Sequence, residues 1–241
     1  MKHSDLEVRA LIDMCSTLGL RVDESTAIDL LSYLDALIVV NQRINLTRIV
    51  ERDIAIRLHL VDSLSAVPEV LSAPPGRICD IGTGGGFPGV PIALRSRRAC
   101  VLLDSVRRKA EAVESVIGQM GWDQDIHTLA LRAEQHARTE PASYSVVTAR
   151  AVAQLSALVE LAAPLLSPGG LLVALKGTPT SEELIAGDKA AGVVGLERIS
   201  NRELTLPKGG ECRTIVTYRK SGSSRVVLPR REGLAQHAPL V

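Results

Sequence analysis

The residues best suited to chemistry lie in one short run, Asp80-Ile81-Gly82-Thr83-Gly84-Gly85-Gly86-Phe87-Pro88-Gly89. It follows an apolar stretch, Arg77–Ile81, that reads as a strand, and it opens a helix. Glycine has no Cβ, so such a loop turns tightly and lets a ligand approach the main chain. Two ligand classes compete for it. A dinucleotide requires G-x-G-x-x-G, and Gly84, Gly86 and Gly89 have that spacing. Counted from the strand end at Gly82, however, the sixth residue is Phe87. The acids separate the two classes. Asp80 stands two residues before Gly82, where a carboxylate can bond loop amides and face a cationic ligand. Asp104, 22 residues after Gly82 and at the end of a second strand, can take both hydroxyls of a ribose. S-Adenosylmethionine carries an ammonium, a sulfonium and a ribose but no pyrophosphate, and it suits these acids better than NAD does.

The elements that must position this loop alternate. Arg77–Ile81, Ala99–Leu103, Ile126–Leu131, Ser143–Ala149 and Leu171–Leu175 read as strands, and Cys212–Tyr218 as another near the end. Ser105 can cap a helix with Val106, Ala110, Val113, Ile117 and Met120 on its buried stripe. Leu155, Leu158, Ala162 and Leu165 mark a further helix. This βα alternation predicts an α/β, Rossmann-like, mostly parallel doubly wound sheet. The chain before it is helical. Val8, Leu11, Ile12, Cys15 and Leu18 recur at helix spacing, as do Ala27, Leu31, Leu34 and Ile38. A third helix over roughly 53–65 groups His59, Asp62 and Ser63 at i, i+3 and i+4, as neighbours. Pro68 and Ser72-Ala73-Pro74-Pro75-Gly76 then break the pattern. The expected division is a helical extension over 1–72, a ligand-binding domain over 73–220 and a basic tail over 221–241.

Composition excludes several functions. Of the 241 residues one is Trp, three are Tyr and one is Phe, too few for a base-stacking platform. No apolar run approaches the roughly 20 residues of a membrane span, Ala36–Val40 being the longest obvious one. Cys15, Cys79, Cys100 and Cys212 are scattered, so they read as reduced thiols of a cytoplasmic protein with no metal site. Net charge is +1, but it is unevenly spread. Residues 1–35 carry seven acids against three bases, residues 95–109 six bases against Asp104, and residues 213–231 six bases and no acid. That asymmetry suits a polyanionic partner as well as a solvated surface.

An ordered set of motifs resembles the bacterial RsmG (GidB) family, over about Asn41 to Leu240. Its pieces are Asn41-Gln42-Arg43-Ile44-Asn45-Leu46-Thr47, His59-Leu60-Val61-Asp62-Ser63, Asp80–Gly89 and Leu103-Asp104-Ser105. Arg132-Ala133-Glu134, Thr148-Ala149-Arg150-Ala151 and Leu175-Lys176-Gly177 continue it, with Leu228-Pro229-Arg230-Arg231-Glu232-Gly233 at the end. The ending departs from the family at Leu228, where Tyr is common, and at Leu234-Ala235, where Thr-Pro is. The resemblance implies a class I S-adenosylmethionine-dependent methyltransferase. Its substrate would be N7 of the guanosine at position 527 of 16S ribosomal RNA, in the small subunit or an assembly intermediate, with no membrane and no obligate protein partner. It also implies cofactor binding by Gly82, Phe87, Ala133, Glu134 and Arg150, which join Asp80, Gly84, Gly86 and Asp104 in the candidate set.

Guanine N7 carries no proton, so a direct in-line transfer needs positioning and electrostatics but no general base. Asn45, His59 and Lys176 are the candidate substrate-positioning residues. The bases of 213–231 are the candidate phosphate clamp, and truncation after Lys220 is expected to leave cofactor binding intact. Two other classes stay open: a methyltransferase for a small molecule or protein, and an RNA-binding module that senses the cofactor without turnover.

Overall fold

The computed structural model describes residues 3–241. Helix α1 (Asp5–Thr17) starts where the Ser4 side chain accepts from Glu7 N–H, and α2 (Glu24–Asn41) where Asp23 accepts from Thr26 N–H. The third predicted helix is not uniform. α3 (Arg52–Ala55) passes into a π-helical segment (Ile56–Val61) and then α4 (Asp62–Leu64); α5 (Val67–Ser72) follows. The wider π turn lies at His59, where spacing alone predicts an ordinary helix.

The remaining elements alternate as β1 (Ile78–Ile81), α6 (Gly89–Ser96), β2 (Cys100–Leu103), α7 (Arg107–Met120), β3 (Ile126–Leu129) and α8 (Ala133–Thr139). They continue with β4 (Tyr144–Arg150), α9 (Leu155–Ala162), β5 (Leu166–Lys176), α10 (Ser181–Val194), β6 (Leu196–Thr205), β7 (Cys212–Lys220) and α11 (Leu234–His237). The seven strands form one sheet in the order β3-β2-β1-β4-β5-β7-β6. β1 to β5 are parallel, and β7 runs antiparallel between β5 and β6. Helix α10 and edge strand β6 are not announced by the sequence pattern. β6 is exposed along most of its length, so its residues are polar and give no apolar alternation. Ser105 does not cap α7; the Asp104 carboxylate accepts from Val106 N–H instead, at 2.8 Å.

Strand order reverses at β1, so a crevice opens beyond the carboxyl ends of β1 and β4. Ile81 pairs with both Leu103 and Ala149, which sets Gly82, Asp104 and Arg150 side by side at those ends. Alternation along β1 divides two cores. Ile78 joins the layer built with the N-terminal helices, while Cys79 and Ile81 join the layer built with α8 to α11. The residues of 1–72 therefore share a core with one face of the sheet: Leu11, Leu34, Leu60 and Val70 lie in the same cluster as Val146 and Val173.

Candidate active site

Asp80 follows Ile78 by two residues, so its side chain enters the layer beneath the glycine loop and is fully enclosed. It accepts from Gly89 N–H at 3.0 Å and from the Thr148 hydroxyl at 2.7 Å. Burial pushes its pKa up to about 6, against the pull of these hydrogen bonds and of Arg150. The expectation that Asp80 faces a cationic ligand is corrected here: the enclosed carboxylate ties Gly89, at the far end of the loop, to Thr148 of β4 and is not exposed to the crevice. Asp104 is the acid that reaches the loop's outer side. Its Oδ2 accepts from Gly84 N–H at 3.0 Å and Oδ1 from Val106 N–H, so each oxygen keeps acceptor capacity for a ribose hydroxyl.

Gly82, Gly84 and Gly86 all have positive φ, +67°, +58° and +83°. Their surroundings differ. A Cβ on Gly82 would come within 2.6 Å of Val152, and one on Gly86 would collide with the Tyr33 hydroxyl. One on Gly84 would meet nothing within 4 Å. Gly84 is thus the loop's open face.

The loop leans on the N-terminal helices. His59, in the π segment, stacks flat on Phe87 with centroids 4.6 Å apart and planes 7° apart. Arg150 lies over the same ring at 5.8 Å. The guanidinium of Arg150 donates to the Leu58 carbonyl at 2.9 Å and to Asp62 Oδ2 at 3.1 Å, while Arg213 donates to Asp62 Oδ1 at 2.9 Å. Burial lowers the Arg150 pKa against the pull of Asp62 and Asp80. Arg150 therefore has an internal carboxylate partner, and the cofactor contact that the resemblance implies for it would use donors this bridge leaves over. His59 Nε2 meets the Thr47 hydroxyl at 2.9 Å, and its Nδ1 is buried without a partner among the described residues. Burial, with the charge of Arg150 nearby, pulls the imidazole down to about 4, so the ring is neutral at pH 7. Asp62 and Ser63 do not bond the His59 ring: Ser63 donates to the His59 carbonyl, and Asp62 turns to the arginines.

Three candidate substrate residues do not share one cavity. His59 and Lys176 line a cavity of about 400 Å³ with Asp62, Arg150 and Arg213. Lys176 is held there by Glu183 at 2.7 Å and by the Ala153 carbonyl at 3.1 Å, which gives the lysine a structural reason the sequence does not reveal. Asn45 lines a different cavity, of about 810 Å³, with Arg48 and Lys109. The neighbouring Asn41 shapes that turn, accepting from Leu46 N–H and Thr47 N–H and donating to the Thr47 carbonyl.

Ala133 and Glu134 open α8, and with Gly82, Leu103 and Val152 they line a narrow cleft of about 90 Å³. The cleft's remaining wall is unexpected. Gln236 of α11 forms part of it, and Glu134 Oε1 accepts from Gly233 N–H at 2.8 Å. Arg230 forks onto Glu160, Arg213 donates one N–H to Asp62, and Lys220 donates to the Val194 carbonyl. Three bases of the run 213–231, Arg213, Lys220 and Arg230, are thus engaged within the chain, while Arg219, Arg225 and Arg231 are exposed. Gln236 lies beyond Lys220, so truncation there would remove a residue that lines the cleft. The buried carboxylates of Asp62 and Glu160 hold Arg213 and Arg230 in particular. Tyr33 and Gln236 are residues the sequence reading missed, and Arg213 enters it only as one base of the 213–231 run. These three reach the site over long separations, and no local spacing marks them.

The family model described as GidB, rRNA small subunit methyltransferase G, matches residues 27–209. The chain belongs to that family. Among its relatives, the ribosomal RNA small subunit methyltransferase G of Deinococcus radiodurans is 40% identical over 204 residues, 83% of this chain and 80% of the relative. The protein of the same name from Chloroflexus aggregans is 37% identical over 235 residues, 96% and 98% of the two chains. A geranyl diphosphate methyltransferase solved with GPP and sinefungin superposes with a TM-score of 0.56 at 14% identity, over 70% of this chain and 81% of that one. A cyclase, SpnF, superposes with 0.52 at 12% identity, over 67% and 82%. These likenesses give the class I methyltransferase fold and nothing finer, because the fold also carries a cyclase. Among the described residues no helix is long and apolar enough to cross a membrane.

Proposed function

We propose that this member of the methyltransferase G family transfers the methyl group of S-adenosylmethionine to N7 of the guanosine at position 527 of 16S ribosomal RNA, acting in the cytoplasm on the small subunit or its precursor. The observation that carries the reading is the open face of the glycine loop at Gly84, whose N–H donates to the Asp104 carboxylate, with Gly82 of the same loop and Glu134 lining one cleft at the strand ends. The residues suit the donor: Asp104 retains acceptor sites for ribose hydroxyls, and the cleft by Ala133 sets apolar Leu103, Leu131 and Val152 beside polar Glu134 and Gln236, as a purine face and edge require.

S-Adenosylmethionine supplies an electrophilic methyl on a sulfonium. Guanine N7 attacks with its own lone pair as the carbon–sulfur bond breaks, and no proton moves. The positive charge passes from sulfur to the purine, so the protein's work is alignment and field. His59 and Lys176 line the cavity of about 400 Å³ shared with Arg150 and Arg213, where neutral His59 offers a flat wall and no charge that would oppose the developing cation. Asp62 offsets Arg150 and Arg213 there, which moderates the repulsion between those arginines and the methylated base. Asn45, Arg48 and Lys109, on the separate cavity, are placed to meet phosphate.

The test is to map 7-methylguanosine in 16S ribosomal RNA from a strain lacking the protein and from the same strain carrying it again. Loss and return of the mark at position 527 is expected. An unchanged mark overturns the assignment.

A further inference from the structure

The C-terminal segment is seated on the domain by polar contacts that a solvated basic end would lack. Arg230 donates to both oxygens of Glu160, at 2.7 and 2.6 Å, and to the Ala238 carbonyl at 2.9 Å. Glu160 lies on α9 and is 4% exposed, so its carboxylate depends on this partner. From that anchor the chain turns at Gly233, with φ +79°, and donates the Gly233 N–H to Glu134. Glu232 adds a bridge to Arg138 of α8 at 3.5 Å. Ala235 is then buried in the same core layer as Leu158 and Leu161 of α9, and Gln236 faces the cleft of Gly82, Leu103 and Ala133.

We propose that residues 228–236 are the outer wall of the cofactor pocket, with Gln236 a contact for the adenine ring and Glu160–Arg230 the positioning pair that seats the wall. The proposal rests on reading the cleft as the S-adenosylmethionine site. Adenine shows a donor amine beside a ring acceptor, and a carboxamide matches both at once. Glu134, which lines the same cleft, is then held by the segment through Oε1. The cleft, at about 90 Å³, is narrow, so the wall must yield when the cofactor exchanges.

The test is calorimetry of S-adenosylhomocysteine binding to the full-length protein, with steady-state kinetics beside it. Arg230→Gln is expected to weaken binding about tenfold or more and to raise KM for the cofactor, leaving KM for RNA and kcat at saturating cofactor unchanged. Arg230→Lys should recover part of the loss, because charge returns without the fork. Gln236→Ala removes an exposed side chain that cannot endanger the fold, and it should weaken binding severalfold. Arg225→Gln, equal in charge but exposed and outside residues 228–236, should bind as the parent does. Parental affinity in both Arg230→Gln and Gln236→Ala overturns the wall, even if Arg230→Gln melts earlier. A rise in KM for RNA alone overturns it in favour of a phosphate contact. If the parent protein itself fails to bind S-adenosylhomocysteine, the reading of the cleft falls and takes the wall with it.

Discussion

The hydroxyl of Tyr33 donates to the carbonyl of Gly85 at 2.9 Å, across 52 residues of sequence. The same ring meets Phe87 edge-on at 5.8 Å, and its hydroxyl fills the space a side chain on Gly86 would need. Helix α2 thus sets the conformation of a loop that belongs to the sheet. Tyr33→Phe leaves the Gly85 carbonyl buried without its donor. It should cost about 1–3 kcal/mol in urea denaturation and weaken S-adenosylhomocysteine binding by calorimetry. Full stability and full affinity together would show that the loop holds itself.

Gly84→Val tests the open face. Its φ of +58° strains a β-branched residue, while nothing within 4 Å obstructs the new side chain. The fold should survive at a cost of about 1–3 kcal/mol. Binding of S-adenosylhomocysteine should disappear, because the valine projects where the ligand must lie. Retained binding would move the ligand away from this loop.

Asp62 is 2% exposed and bridges two guanidinium groups, Arg150 at 3.1 Å and Arg213 at 2.9 Å. Asp62→Asn leaves two cations facing each other and should destabilise the protein by about 3 kcal/mol. Arg213→Ala, which spares the Arg150 bridge, should cost less. The Asp62→Asn, Arg213→Ala double variant should be more stable than the summed single effects predict. Strict additivity in denaturation would mean that the three groups do not act together.

Stability at acid pH should depend on His59. Its folded pKa, about 4, lies below the reference value of 6.5, so the unfolded chain takes up a proton first as pH falls. The stability tied to the neutral ring is complete above pH 6.5 and is lost progressively toward pH 4. Between pH 7.5 and 5 that loss is about 2 kcal/mol. Asp80 works in the opposite sense, since burial raises its pKa to about 6 and protonation below that value favours the fold. The difference between the parent and His59→Gln isolates the histidine. A difference that stays constant across this range would contradict a neutral buried imidazole.

Single-turnover methylation with bound RNA should be level between pH 6 and 8. Guanine N7 has no proton to lose, and the His59 ring is neutral throughout that range. A bell-shaped profile that vanishes in His59→Gln would reveal an acid–base step.

Sequence by itself determined what local chemistry dictates. Alternation of apolar runs marked β1 to β5, glycine spacing marked the loop, and Asp104 was placed by its distance from Gly82. These signals survive without a fold because each depends on neighbours within a few residues, through side-chain period and backbone sterics. Only the tertiary structure decided which way each charge faces. Asp80 and Asp104 look alike in sequence, yet one is sealed under the loop and the other reaches its outer edge, because alternation along β1 sends Asp80 into a core. Arg230 and Arg231 are adjacent bases, yet Arg230 alone finds the buried Glu160, 70 residues earlier. A buried carboxylate selects its partner by geometry across the fold, and desolvation makes that choice binding. Spacing along the chain carries no record of it.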